Sequence, residues 1–85
     1  MTTPPLSPAR MPLTAVPSGR SVVVRGIDGG CGAALRMASL GLLPGAAIHV
    51  HRNDRNGPVV VGVHGGRVML GRHIAERVSV QEAGT

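Results

Sequence analysis

Hydrophobic residues in this chain alternate with polar ones over short runs, and turn-forming clusters separate the runs. Ser21-Val22-Val23-Val24-Arg25 reads as a first strand, with Val22 and Val24 inward and Arg25 outward. Gly26-Ile27-Asp28-Gly29-Gly30-Cys31-Gly32 interrupts it, and Ala33 to Leu40 follows as a short helix. Cys31, Leu35, Ala38 and Leu42 fall at helical spacing and predict its buried stripe. Gly41 is suited to a left-handed cap, with Leu42 folding back on Met37. Leu43-Pro44-Gly45 places Pro and Gly as a type II turn requires. Strands are then expected over Ala46–Arg52, Val59–His64 and Arg67–Leu70, one helical turn over Gly71–Glu76, and a last strand over Arg77–Gln81.

Register follows from the same pattern. With Gly65-Gly66 as a two-residue hairpin turn, His64 faces Arg67, Val63 faces Val68 and Val61 faces Leu70. Ile48 opposite Val63 and Val50 opposite Val61 keep that face apolar. The other face then carries His49, His51, Val60, His64, Arg67 and Met69. About five short strands with tight turns, a short helix after the first strand and a one-turn helix before the last predict a mainly β fold. The expected architecture is a small, half-open SH3-like barrel, whose narrow interior suits small β-branched residues. The expected domain is 13–81, preceded by a Pro-rich flexible tail over 1–12 and followed by a tail over 82–85; five of the seven prolines lie in the first seventeen residues. Leu13 and Val16 are spaced to drop onto the core, and Pro17-Ser18-Gly19 is turn chemistry.

Composition narrows the chemistry. The 85 residues allow one small domain with a thin core. The net charge is +5, carried wholly by nine Arg, since the chain has no Lys. Arginine grips carboxylates and phosphates with a flat, two-pronged donor, so acidic partners are expected. Nucleic acid, anionic lipid and an acidic protein face all fit such a surface, and nucleic acid is disfavoured because the basic residues are scattered and not massed. Without Lys there is no P-loop. Without Phe, Tyr or Trp there is neither an aromatic groove for proline-rich peptides nor a stacking platform for single-stranded nucleic acid. One cysteine excludes an internal disulfide and fits a reducing compartment. No apolar run reaches the ~18 residues of a membrane span, and no export leader is legible.

The order Leu13-x-x-Val16-Pro17-x-Gly19, Val22-Val23-Val24-Arg25-Gly26-Ile27, Gly29-Gly30-Cys31-Gly32 and Leu35 through Gly45 resembles the bacterial ferrous iron transport protein A (FeoA) family. Gly57-Pro58-Val59, Leu70-Gly71-Arg72 and Ala75-Glu76-Arg77-Val78-x-Val80 match it too, so the resemblance runs from Leu13 to Val80. It implies a cytoplasmic SH3-like barrel that assists the membrane ferrous-iron permease FeoB, which has its own GTPase domain. It also implies kinship with the C-terminal barrels of iron-dependent repressors, although no helix-turn-helix precedes this one. The family brings no catalytic residues.

Candidate sites read from the residues are few. The glycine-rich segment 26–32 fails the dinucleotide fingerprint, since Leu35 stands where the third glycine belongs, and reads as a tight strand-to-helix crossing. Cys31, near a helix start, fits either a reactive or metal-binding thiol or a small core residue. His49, His51 and His64 on one outer face are a candidate transition-metal site, for Zn or Fe(II), that lacks a fourth protein ligand. Val60, Arg67 and Met69 form a small apolar spot with a basic rim, a candidate partner or self-association face. Arg36, Met37 and Arg72 are candidate partner-binding residues on the helix side. Asp28, Asp54, Glu76 and Glu82 are too scattered to suggest a carboxylate pair, so no enzyme is expected.

The expected function is therefore a cytosolic accessory protein that binds and supports the ferrous-iron permease, peripheral to the inner membrane through that partner, with no required cofactor and no insertion of its own. One rival is a metal-responsive regulator that forms homo-oligomers on binding a transition metal. Another is a small RNA-binding barrel with steeply salt-dependent affinity.

Overall fold

A computed structural model describes residues 10–54 and 56–82. The elements are β1 (Met11–Pro12), a 3-10 turn (Leu13–Ala15), β2 (Ser21–Ile27), α1 (Gly30–Ser39), β3 (Ala47–Asn53), β4 (Val59–Val63), β5 (Gly66–Leu70), α2 (Arg72–Ala75) and β6 (Val78–Glu82). Six strands form one antiparallel sheet in the order β1-β6-β2-β3-β4-β5. β2 pairs with both β3 and β6 and bends the sheet around an interior of aliphatic side chains, giving the SH3-like form expected. The first strand lies two residues upstream of Leu13, because Met11 and Pro12 pair with Val80 and Ser79. Of the anticipated tails, 1–9 and 83–85 fall outside the described residues, and Glu82 belongs to β6.

The alternating valines face inward. Val22, Val24, Val50, Val59, Val61, Val78 and Val80 are fully buried, and no buried residue is polar or charged among those described. Leu13 and Val16, on the 3-10 turn and just after it, are buried against them. β2 runs on through Gly26 and Ile27, two residues beyond the break expected there. A bulge at Arg25 allows this: Val24 pairs with Val80 but Gly26 with Ser79, so Arg25 is the extra residue and Ile27 comes opposite Val78.

The β4–β5 register differs from the expected one by two residues. Val63 pairs with Gly66, Val61 with Val68 and Val59 with Leu70. The turn is therefore His64-Gly65, with φ of 51° and 80°, the positive pair that a type I′ hairpin turn needs. Histidine enters this left-handed region more readily than most side chains. This register keeps all five β4 residues on the ladder, whereas a Gly65-Gly66 turn would leave Val59 opposite Arg72, which starts α2. A shift of two preserves the strand period, so the faces stay as read and Val61, Val63 and Leu70 are buried while Val68 is partly so.

On β3, Val50 pairs with Val61 as expected, but Arg52 pairs with Val60. His51 is the extra residue of a second bulge. Simple alternation would carry Arg52 inward after Val50. The bulge turns it out and sends Asn53 inward instead, where its side-chain amide donates to the carbonyls of Thr14 at 2.9 Å and Val16 at 2.6 Å.

α1 ends as its sequence dictates. Gly41, at φ 89°, donates to Ala38 O at 2.9 Å, and Leu42 donates to Met37 O at 2.9 Å, with both Leu42 and Met37 buried. The type II turn follows at Leu43–Ala46, with Gly45 at φ 93° and Ala46 N donating to Leu43 O at 2.9 Å. A Cβ at Gly41 would also lie 2.9 Å from Val63 Cγ1 and 3.0 Å from His64 Cδ2, so the cap is also the contact between α1 and the β4–β5 turn. Gly41→Ala is expected to cost about 1–3 kcal/mol from the left-handed strain, with the collision adding to it. Urea unfolding of the variant checks this; an unchanged midpoint contradicts it.

Candidate functional site

Gly29 and Gly30, with φ of 113° and 83°, turn the chain from β2 into α1. They are the tight crossing that the glycine cluster suggests, and no residue with a side chain adopts both conformations without strain. The helix that follows buries Met37 alone; Ala33 and Ala38 are half-buried. The expected inward stripe is therefore corrected. Of Cys31, Leu35, Ala38 and Leu42, only Leu42 is fully inside; Cys31 is exposed and Leu35 is 71% exposed. In an alanine-rich helix the pair Ala33–Met37 has the same spacing, and packing beneath the cap at Leu42 selects it. Met37 is consequently a core residue that shows only a sliver of surface, whereas Arg36 is exposed. Leu35, Leu40 and Leu43 are 71%, 39% and 51% exposed, apolar surface that sequence reading missed, having assigned Leu35 to the interior and Leu43 to a turn.

The sheet's outer face carries His49 and His51 edge to face, with ring centroids 5.0 Å apart. Ser21 Oγ and His49 Nδ1 share a 3.0 Å hydrogen bond. The His51 ring lies over Gly62, where a Cβ would stand 2.6 Å from its Nε2, so glycine makes room for the imidazole. His64 sits in the β4–β5 turn against Gly41. The structure thus brings two of the three candidate imidazoles together and leaves the third elsewhere. No three His, Cys, Asp or Glu side chains are grouped to hold a metal ion among the described residues. Met69, 68% exposed, pairs with half-buried Val60, and exposed Arg67 pairs with Gly62. With the imidazoles placed this way, one equivalent of zinc is expected to leave the His64 ring resonances unmoved in NMR. Concerted movement of all three rings overturns that placement.

Arg72 is a brace. One guanidinium nitrogen donates to Asn53 Oδ1 at 3.0 Å, to Gly57 O at 3.2 Å and to Asp54 O. Asn53 in turn ties the β3 end to the 3-10 turn, and its backbone N–H donates to Ser18 Oγ at 2.9 Å. Arg72 therefore closes the β3–β4 loop onto the barrel. Sequence reading placed it among the partner-binding residues and passed over Asn53, which sits within a turn-like Asn-Asp run. Two of the four carboxylates are also held: Asp54 accepts from Arg52 at 2.7 Å, and Glu82 lies 3.6 Å from Arg20. Arg72→Ala is expected to destabilise the fold by about 1.5–3 kcal/mol, the range for hydrogen bonds to charged groups. Arg36→Ala is expected to change stability by less than about 0.5 kcal/mol, as exposed positions do. Equal denaturation midpoints for the two variants would contradict the bracing role.

These features define a small SH3-like barrel whose distinguishing surface is the helix inserted after β2. The FeoA domain model matches residues 11–82. The chain is 39% identical over 72 residues to "Putative Fe(2+) transport protein A" of Methanocaldococcus jannaschii, covering 85% of this chain and 87% of that one. It superposes on the crystal structure of an iron uptake regulatory protein (FeoA) with a TM-score of 0.82 at 35% identity, covering 88% of this chain and all of the other. A solution structure of FeoA from Chlorobium tepidum matches with a TM-score of 0.77 at 27% identity, over 87% of this chain and 71% of that one. A manganese-dependent transcriptional repressor matches with a TM-score of 0.78 at 24% identity, over 91% of this chain and 44% of the repressor, which shows a shared fold. The chain belongs to the FeoA family of ferrous iron transport proteins.

Proposed function

We propose that this protein is an accessory factor of ferrous iron uptake that docks on the membrane ferrous-iron permease FeoB from the cytoplasmic side. Family membership supports the place in iron transport. The observation that carries the docking reading is the exposed apolar surface of the α1 region: Leu35, Leu40 and Leu43 stand in solvent, whereas the other described leucines, Leu13, Leu42 and Leu70, are buried. Single exposed apolar residues are ordinary, but here three lie within nine residues of one helix and its exit turn. Exposed Arg36 adds a fixed positive charge beside them. Among the described residues no helix is long and apolar enough to cross a membrane, so attachment to the permease is read as peripheral. The role is one of contact, with no reaction assigned to the chain.

Leu35→Asp tests this, because an exposed helical position tolerates the change within about 0.5 kcal/mol while a buried contact does not. Capture of detergent-solubilised permease by the tagged full chain is expected to fall about tenfold or more in this variant, with folding unchanged by circular dichroism. Wild-type capture indistinguishable from a tag-only control overturns the docking reading; undiminished capture by the variant removes α1 from it.

A further inference from the structure

An open cavity of about 290 Å³ lies where the flank of α1 meets α2 and the end of β2. Ile27, Ala33, Met37 and Ile74 give it an apolar wall, and Arg36 and Arg77 give it a charged one. Neither guanidinium has a hydrogen bond or ion pair with any described residue, unlike Arg20, Arg25, Arg52 and Arg72. No carboxylate is among the residues that line the cavity. Gly29 borders the charged wall: a Cβ there would stand 3.0 Å from Ala33 Cβ and 3.2 Å from Arg77 Nη1.

We propose that this cavity binds an acidic, apolar peptide segment of a protein partner, in which one leucine or isoleucine is flanked by aspartate or glutamate. The volume is at the small end of ligand sites, enough for a branched aliphatic side chain and too small to enclose a nucleotide cofactor. The apolar wall removes that side chain from water. Arg36 comes from α1 and Arg77 from the segment between α2 and β6, so they present guanidiniums from two separate elements. A carboxylate on each side of the apolar residue answers both, and the planar fork of arginine holds a carboxylate through two hydrogen bonds. Charge complementarity selects the occupant: the chain carries +5 overall, and these two charges have no partner among the described residues. The permease is the natural bearer of such a segment, so the proposal rests in that respect on the docking reading above.

The test is an NMR titration of the isotope-labelled full chain with three acetylated, amidated pentapeptides: Asp-Leu-Glu-Leu-Asp, Asp-Gly-Glu-Gly-Asp and Lys-Leu-Lys-Leu-Lys. The first is expected to move the amide signals of Gly29, Gly32, Ala33 and Ile74, and the other two are expected to leave them in place. Ala33→Leu fills the apolar wall without altering charge. Arg36→Glu with Arg77→Glu reverses the charged wall and leaves the residues of the apolar wall unchanged. Each is expected to weaken binding about tenfold or more, and the double variant is expected to bind the lysine peptide instead. No movement with the first peptide, equal movement with the glycine peptide, or full binding by the Ala33→Leu variant overturns the proposal. Permease capture is run beside it: peptide silence with capture intact removes the cavity alone, and peptide binding with capture absent removes the docking reading alone.

Discussion

Aliphatic burial without a single aromatic ring is the constraint on which this structure depends. The interior is filled by valine, leucine, isoleucine, methionine and alanine, and among the described residues no buried one is polar or charged. A valine fills little volume, so many must converge on a narrow interior, and a strongly bent sheet is the way to bring them there. β2 supplies that bend by pairing with β3 on one side and β6 on the other. Two bulges adjust its consequences. At Arg25 and His51 an extra residue lets a charged or imidazole side chain stay outside while the next part of the strand returns to the core face.

Polar side chains then fix what the apolar interior leaves loose. Asn53, turned inward by the second bulge, joins the β3 end to the 3-10 turn, and Arg72 joins the β3–β4 loop to α2. At the other end, the Gly41 cap locks α1 against the β4–β5 turn. α1 is thus carried as a rigid unit on a barrel that buries only Met37 among its residues. A helix so lightly committed to the interior is free to offer most of its surface elsewhere.

That arrangement suits a protein that works by contact. The exposed Leu35, Leu40 and Leu43 and the part of the cavity wall from Ala33, Arg36 and Met37 both belong to the α1 region. Arg20, Arg25, Arg52 and Arg72 satisfy internal acceptors, whereas Arg36 and Arg77 have none among the described residues. Unspent charge next to exposed apolar surface gives both affinity and orientation to an acidic partner. Belonging to the FeoA family sets this surface in the context of ferrous iron transport.

The chain's own sequence determined the order of strands and helices from β2 onward, the inward valines, the Schellman-type cap at Gly41 and the type II turn at Pro44-Gly45. These are local matters of period and backbone preference, and residues a few positions apart decide them. Tertiary structure decided the rest. The choice between Cys31–Leu35 and Ala33–Met37 as the inward pair of α1 depends on what lies beneath the helix, since both have the same spacing. The hairpin turn at His64-Gly65 prevails because it keeps β4 fully paired with β5, a sum over the whole ladder. The bulges at Arg25 and His51, and with them the inward turn of Asn53, follow from how distant strands meet, which the period of one strand alone does not encode.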